Sequence, residues 1–426
     1  MEPSERYRRY VLAALTLAYV FNYLDRYVLT ILLEPIKAEL GVSDAWMGFL
    51  IGPAFAVFYT TLGVPVARLA DRGTRRSIVA LGFAVWSAFT VASGFARGAL
   101  ELTLARIGVG VGEAAGAAPS HSLLSDYFPP ARRAGALAVF QLGVYLGQFL
   151  GLAVGGLLVA PLGWRWTFVA VGAPGLVLAV VLRLTVREPP RGAFEAPREA
   201  PRAVGIGEVF QRLWALPSFR RLAVGAGLAS FSGTGFGFWM PSLLVRVHEL
   251  SPAEVGATYG WISPGSAMLG SLLAGALTDR LGRSDPRWWL RVPALSVAAS
   301  LPFLVAMCLV PSPGWVLALA VPAGILGGGW APPTYAATQN LAPPAMRAVA
   351  ASILILFITL LGMGAGPWCV GILSDALAPR FGPAALPYAL VGVLLVSGLG
   401  AVALAGGAGR LPADLATARS RGEPLS

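Results

Sequence analysis

Charged side chains occur where an apolar chain should carry none. Asn22-Tyr23-Leu24-Asp25-Arg26 lies in the middle of an apolar run from Tyr10 to about Leu33, and Arg106-Ile107-Gly108-Val109-Gly110-Val111-Gly112-Glu113 lies inside another. Runs of roughly 20 mainly apolar residues cross a bilayer as helices. A charge at mid-membrane costs about 2.5–3.5 kcal/mol on insertion scales, so a chain that needed only an anchor would use Leu and Val. Arg106, Gly110 and Glu113 are spaced four and three apart and share one helix face. Glycine between the two charges lets another helix approach closely. Asp25 and Arg26 supply the opposite signs, and the set is formally neutral. Such a cluster is either a static ion-pair lock or a site for proton coupling or a substrate headgroup, because ionisable groups within a membrane usually mark pathways. Asn22, three residues before Asp25 and four before Arg26, can hydrogen-bond toward either.

The rest of the chain must position this cluster, and its bulk numbers say in what solvent. It has 426 residues, 56% hydrophobic and 12% charged, with mean hydropathy +0.69. A soluble domain carries about 25% charge, and disorder needs low hydrophobicity; both are excluded in favour of a chain facing lipid or other membrane helices. The net charge of +11 could attract nucleic acid. Its placement argues against that partner: every basic residue but Lys37 is Arg, and most lie in short loops between apolar runs, as in membrane proteins that fix their orientation. Cys308 and Cys369 lie within apolar runs and offer neither a disulfide framework nor metal-ligand spacing. With a single lysine no P-loop is possible, and with only His121 and His248 no His-Glu-x-x-His zinc site exists, so neither an enzyme, a metal centre nor a bound cofactor is expected. His121 reads as a helix-packing or pore residue and His248 as a loop residue. The N-terminus resembles a signal peptide, but its apolar run is too long and Asp25-Arg26 interrupts it, so it reads as a retained first helix.

Apolar runs number twelve, over 9–34, 45–69, 76–96, 100–127, 134–160, 164–186, 219–246, 254–278, 289–310, 314–341, 347–375 and 384–409. The stretch 187–218 is rich in Pro, Arg and Glu, has no helical apolar stripe, and reads as a linker. The expected organisation is an all-α membrane protein with six-helix bundles at 1–186 and 219–409, a cytoplasmic linker at 187–218 and a cytoplasmic tail at 410–426. With the N-terminus inside, the inner loops, helix ends and termini hold 25 of the 32 Lys and Arg, which places both termini in the cytoplasm. Motifs repeat between the halves. Asp71-Arg72-x-x-Arg75 and Asp279-Arg280-x-x-Arg283 are 208 residues apart, and Pro129-Pro130-Ala131-Arg132 and Pro343-Pro344-Ala345-Met346 are 214 apart. Gly147, Gly151 and Gly156 match Gly362, Gly366 and Gly371 at 215. This is a duplicated six-helix unit.

The Asp-Arg-x-x-Arg loop puts a carboxylate at the inner end of a helix with Arg beside it; it either fixes topology or makes a bond that one conformation forms and another breaks. The twelve runs, the linker and both loop motifs resemble the major facilitator superfamily over nearly the whole chain. The second loop fits that family's pattern fully, whereas the first has Ala67 and Thr74 where glycine is usual. The resemblance implies that Asp71 caps a helix of the other half in the outward-open state, and that Asp126 pairs with Arg72 or Arg75. Asn-Tyr-x-Asp-Arg in the first run, with Arg-x-x-x-Gly-x-Gly-Glu, Gly112-Glu113-Ala114 and Pro119-Ser120 in the fourth, resembles the Spinster branch more narrowly. Members of that branch move lysophospholipids or sphingosine phosphate, and their first-helix Asp and fourth-helix Glu are implicated in proton sensing; the matching positions are Asp25, Arg26, Arg106 and Glu113.

Other features are read from composition. The stripe Gly143, Gly147, Gly151, Gly155 predicts tight helix packing. Gly163-Trp164-Arg165-Trp166 reads as an outer-interface turn with aromatic anchoring. The seventh run, with Phe231, Phe236, Trp239 and Pro241 among glycines, and the tenth, with Gly327-Gly328-Gly329-Trp330, are expected to bend or break and to line a cavity. No charge lies inside the six C-terminal runs. A cavity with Asn22, Tyr23 and the charge cluster on one wall and Phe231, Phe236, Trp239 and Trp330 on the other suits an amphiphile. The expected function is secondary transport by alternating access, proton-linked, by a monomer in a bacterial inner membrane; a small organic anion is the alternative substrate, and a non-transporting sensor the alternative class.

Overall fold

The computed structural model describes residues 4–194, 206–343 and 346–420. It is helical, with no strand among the described residues. Twelve spans follow in order: Glu5–Leu40; Asp44–Ile51 with Pro53–Arg72; Arg75–Ser93; Ala99–Glu113 with Ala117–Tyr127; two spans within Pro130–Thr185; Pro217–Arg246; Pro252–Ala257 with Tyr259–Gly282; Trp288–Leu309; Pro313–Gly327 with Ala331–Leu341; the eleventh from Arg347 to Phe381; and Ala385–Ala408. The apolar stretch Pro130–Thr185 has 56 residues, about 84 Å at 1.5 Å per residue, too long for one crossing of a core about 30 Å thick. Gly163, at φ 70°, turns it. Gly382, at φ 55°, turns the chain at the equivalent place between the eleventh and twelfth spans. Only glycine enters that region without a Cβ penalty. Leu81, Leu184 and Val402 are 67%, 75% and 70% exposed, which suits lipid rather than water.

Helix continuity departs from the sequence reading in several spans. The seventh span, expected to bend or break, is not broken: one helix runs through Pro241, whose ring removes a backbone bond and crowds the carbonyl four residues before it. The tenth span does divide, at Gly328–Trp330, and the fourth divides at Ala114–Gly116, immediately after Glu113. The eleventh carries a π-helical stretch at Ile358–Ala365. The stretch 187–218 is also not devoid of helix: Ile206–Trp214 forms one, and Val209 and Leu213 are buried from it. A helix at Leu411–Ser420 follows the twelfth span, and its Asp414 accepts from the Ser218 backbone N–H at 2.7 Å, satisfying a free donor at the start of the seventh span.

The chain divides into two compact units. The first comprises Met1–Arg198 and Leu244–Trp261, the second Glu199–Leu243 and Ile262–Ser426. The connection between the seventh and eighth spans therefore packs with the first unit, although its sequence belongs to the second half. Reciprocal glycines seat it: a Cβ on Gly156 would lie 2.2 Å from the Pro252 carbonyl oxygen, and one on Gly256 2.5 Å from that of Leu152. Arg246 clamps the same segment, donating at 2.7 Å to Glu34 and at 2.7 Å to Asp44. Asp44 also accepts from Lys37.

Candidate functional site

The first span carries Asp25 and Arg26, and the glycine stripe of the fifth holds it in place. Ideal Cβ atoms on Gly147 and Gly151 would fall 2.5 Å and 2.7 Å from the Val20 and Leu24 carbonyl oxygens, so the backbones touch over the two turns leading to Asp25. The expected tight packing is there, and its partner is the charged helix. The fourth span closes in from the other side. Gly112 leaves no room for a Cβ against Trp86 of the third span, and Gly110 none against the Phe55 carbonyl of the second. Glycine between Arg106 and Glu113 thus admits the second span as the spacing implied.

These contacts bring the four charges together as two crossed pairs. Arg26 donates through Nε at 2.7 Å and Nη2 at 2.5 Å, both to Glu113 Oε2. Arg106 Nη1 donates at 2.9 Å to Asp25 Oδ2. Thr90 Oγ1 of the third span donates at 2.6 Å to Asp25 Oδ1, so both oxygens of that carboxylate are engaged. Asp25, Arg26, Arg106 and Glu113 are 2%, 7%, 2% and 1% exposed. Three rings surround the Arg26 guanidinium: its carbon lies 4.9 Å from the centroid of Tyr23, 4.7 Å from Phe55 and 5.1 Å from Tyr59, where the ring faces attract a cation. Glu113 Oε1, Arg106 Nε and Asn22 Oδ1 are buried without a hydrogen-bond partner among the described residues. The quartet is neutral and paired, yet it keeps unused hydrogen-bonding capacity. Such capacity lets a site accept a proton or a polar group without first breaking every bond.

Asn22 does not do what its spacing suggested. It bonds neither Asp25 nor Arg26, whose partners are Thr90, Arg106 and Glu113; its side chain lines a small cavity with Trp86, Gly116 and Ser120. Of the aromatic residues expected to line a cavity, Trp239 is fully buried and donates its Nε1–H to the Pro367 carbonyl at 2.9 Å. It joins the seventh and eleventh spans instead, since a buried indole N–H needs an acceptor. Phe236 is buried as well, while Phe231 and Trp330 are partly exposed. Cys308 and Cys369 are free, and among the described residues no cluster could hold a metal.

At the other end of the first unit, Asp126 pairs with Arg75, the second of the two partners that the resemblance allowed. Arg75 also donates at 2.7 Å to Glu188 and at 2.9 Å to Ser122 Oγ. Glu188 lies at the start of the polar stretch after the sixth span, and Arg191 there donates to the carbonyls of Ala70 and Gly73. The side chain of Asp71 lies outside the described residues. Arg72, Asp279, Arg280 and Arg283 are exposed and make no ion pair among the described residues. His121 packs edge-on to Phe140, with centroids 5.2 Å apart, and His248 lies in the turn after Arg246.

Thr90, Phe55, Tyr59 and Glu188 went unmarked in the sequence. Thr90 is one hydroxyl in an apolar helix, where bonding to its own carbonyl four residues back is the ordinary expectation. Phe55 and Tyr59 are four apart, the only signal that they share a face.

A family profile described as Major Facilitator Superfamily matches residues 15–367. The chain is 34% identical over 386 residues to an MFS-type efflux pump of Mycolicibacterium smegmatis, covering 90% of this chain and 88% of the relative. It is 28% identical over 386 residues to the sphingosine-1-phosphate transporter SPNS2 of Danio rerio, covering 85% of this chain and 75% of the relative. Its structure superimposes with a TM-score of 0.84 and 31% identity, over 100% of both chains, on a bacterial homolog of the human lysosomal transporter Spinster, crystallised inward-facing and unoccupied. The twelve spans, the duplicated halves and the Asp25–Arg106, Arg26–Glu113 quartet thus belong to a multi-pass membrane transporter, and the chain is a member of the major facilitator superfamily, of Spinster type.

Proposed function

We propose that the protein is a proton-linked secondary transporter of an amphiphile carrying an anionic or polar head, such as a lysolipid or a sphingoid-type lipid, and that it works as a monomer by alternating access. The observation that carries this reading is the distribution of buried charge. The first unit buries Asp25, Arg26, Asp44, Arg75, Arg106 and Glu113, whereas Asp414 of the tail helix is the one buried charged side chain among the described residues of the second. A polar head has buried charged partners in the first unit, whereas the described spans of the second bury no charge and offer apolar surface for a tail. The similarity to a sphingosine-1-phosphate transporter points the same way. Protonation of Glu113 would remove the charge that holds Arg26 and free its guanidinium for an anionic head, within the ring cage that already orients it. The Asp-Arg-x-x-Arg loops, Asp71 to Arg75 and Asp279 to Arg283, serve as latches between states. Both termini face the cytoplasm, and a bacterial inner membrane is the setting.

Purified protein in liposomes, given lysophospholipids, sphingoid bases, their phosphates and small organic acids under a pH gradient, tests this. Flux of the lipids that follows the gradient is expected. Asp25→Asn and Glu113→Gln should fold and lose the pH dependence. Unchanged pH-dependent flux in both variants would refute the coupling role. Tight binding of an organic acid with indifference to lysolipids would overturn the substrate class, and binding without flux under any gradient would make the protein a sensor.

A further inference from the structure

Below the quartet, within the first unit, lies a small cavity whose walls include Tyr19, Asn22, Trp86, Gly116, Ser120 and Phe140. It has room for about one water molecule. Its rim is polar at two points. Asn22 is 3% exposed, and its Oδ1 has no protein donor. Ser120, also 3% exposed, spends its single O–H on the Gly116 carbonyl at 2.6 Å, so its oxygen keeps lone pairs for another donor. Gly116 forms the wall beside the quartet: a Cβ there would lie 3.9 Å from Asn22 Nδ2 and 3.2 Å from the Glu113 carbonyl oxygen. Gly116 belongs to the break in the fourth span, and its N–H bonds back to that carbonyl at 2.9 Å. The cavity also reaches Leu15, two turns before Asn22 on the first span, or roughly 10 Å at 1.5 Å per residue. That direction leads to the helix ends where Arg75 and Asp126 pair, the side carrying the excess of Arg. Glu113 Oε1 is the one carboxylate oxygen of the quartet without a partner among the described residues.

We propose that this cavity is a water site and the inner proton entrance to Glu113. Buried waters occupy pockets that offer two to four polar partners, and Asn22 Oδ1 and Ser120 Oγ are two acceptors for one water's hydrogens. In the relay, an excess proton arrives from the inner side, a new O–H bond forms at Glu113 Oε1 as an O–H bond of water breaks, and that water takes its replacement from behind. One proton enters and nothing else changes hands. The groups facing Glu113 are Arg26, Asp25 and Tyr23 of the first span, Tyr59 of the second and Arg106 of its own; the third span presents Trp86 and Thr90. On the inner side, Tyr19 lies in the cavity wall itself and His121 packs on Phe140 of that wall, so the water stands between these groups and the quartet.

The inference rests on the protonation of Glu113 proposed above, and infrared spectroscopy separates the two. The reconstituted protein, without substrate, is titrated to low pH, and the protonated carboxyl band absent from Glu113→Gln is followed after transfer to D2O. Ser120→Val removes the acceptor oxygen and fills the cavity; Val79→Ala enlarges the apolar wall and leaves both polar groups. Exchange of the band is expected to slow at least tenfold in Ser120→Val and to match or exceed the parent rate in Val79→Ala. Parent-rate exchange in a folded Ser120→Val, or equal slowing in both variants, would overturn the water route. If Ser120→Val fails to fold, Asn22→Leu is expected to slow exchange in its place, and parent-rate exchange there would be equally decisive. Absence at every pH of a band that Glu113→Gln removes would overturn both the route and the protonation it serves.

Discussion

The two units solve the same packing problem with different chemistry. The first holds its spans together with buried and partly buried ions: the quartet at mid-membrane, Arg75 with Asp126 and Glu188 at one end, and Arg246 with Glu34 and Asp44 at the other. The second uses a continuous apolar cluster from Val209 to Leu415 and hydroxyl-to-carbonyl bonds such as Ser232 to Val393 at 2.7 Å. A buried ion pair adds little net stability when intact, because desolvation offsets its attraction, but removing one partner strands a charge. A hydroxyl bond is worth about 1 kcal/mol either way. The first unit should therefore be brittle to single substitutions at its charges and the second tolerant.

The largest expected effect is Arg106→Leu, which leaves Asp25 buried with Thr90 as its sole partner and should cost about 3–5 kcal/mol, read as a fall in thermal midpoint in detergent. The double variant Asp25→Leu, Arg106→Leu should recover most of that loss; a double variant as unstable as the single one would break the comparison. Next is Gly147→Leu. Its side chain would enter the backbone of the first span, at a cost of about 1–3 kcal/mol or more, and should displace the quartet as well as destabilise it. In the second unit Trp239→Phe gives up one buried hydrogen bond to Pro367, for about 1–3 kcal/mol. A loss as large as that of Arg106→Leu would show that the second unit is not the tolerant one. The smallest effect belongs to Glu39, half exposed at the end of the first span. Hydrogen bonds from Arg165, and then Trp164, hold its carboxyl below the usual range. A depressed folded value means that its contribution is present above the unfolded value, about 4.3, and is lost as pH falls through the folded one. Glu39→Gln should leave the midpoint at pH 7 nearly unchanged, as exposed pairs do, and should flatten only the acid end of its pH dependence.

Much of this site was legible because the membrane makes charge conspicuous. Asp25, Arg26, Arg106 and Glu113 each break an apolar run, and the spacing of Arg106, Gly110 and Glu113 implied both a shared face and a close neighbour. Their pairing, Arg26 with Glu113 and Asp25 with Arg106, follows from sign, because it is the one crossing between the two spans that joins opposite charges. Asn22 misled because helical spacing says which atoms can meet, not which are already taken. Trp239 misled because aromatic residues near glycine suit a cavity wall and a packed core equally. The break in the fourth span and the π-helical stretch at Ile358–Ala365 were not anticipated, and the seventh span shows that glycine and proline alone do not force a break. The placement of Leu244–Trp261 with the first unit depends on Arg246 meeting carboxylates 202 and 212 residues away, beyond the reach of any local pattern.

The crossed pairing also sets an order of assembly. Arg26 and Glu113 are 87 residues apart, and Asp25 and Arg106 81. At about 5–20 residues per second of synthesis, the first span is made roughly 4–17 seconds before either of its partners. Throughout that interval its two charges have only each other, side by side on one helix, and water or the insertion machinery. The third span brings Thr90 just ahead of Arg106, so relief comes in a fixed sequence: a hydroxyl, then an arginine, then a glutamate. A nascent chain arrested before residue 106 has left the ribosome holds an unfinished first helix that is poor at staying in lipid, and one just long enough for residue 113 to have emerged is the shortest in which that helix can come to rest.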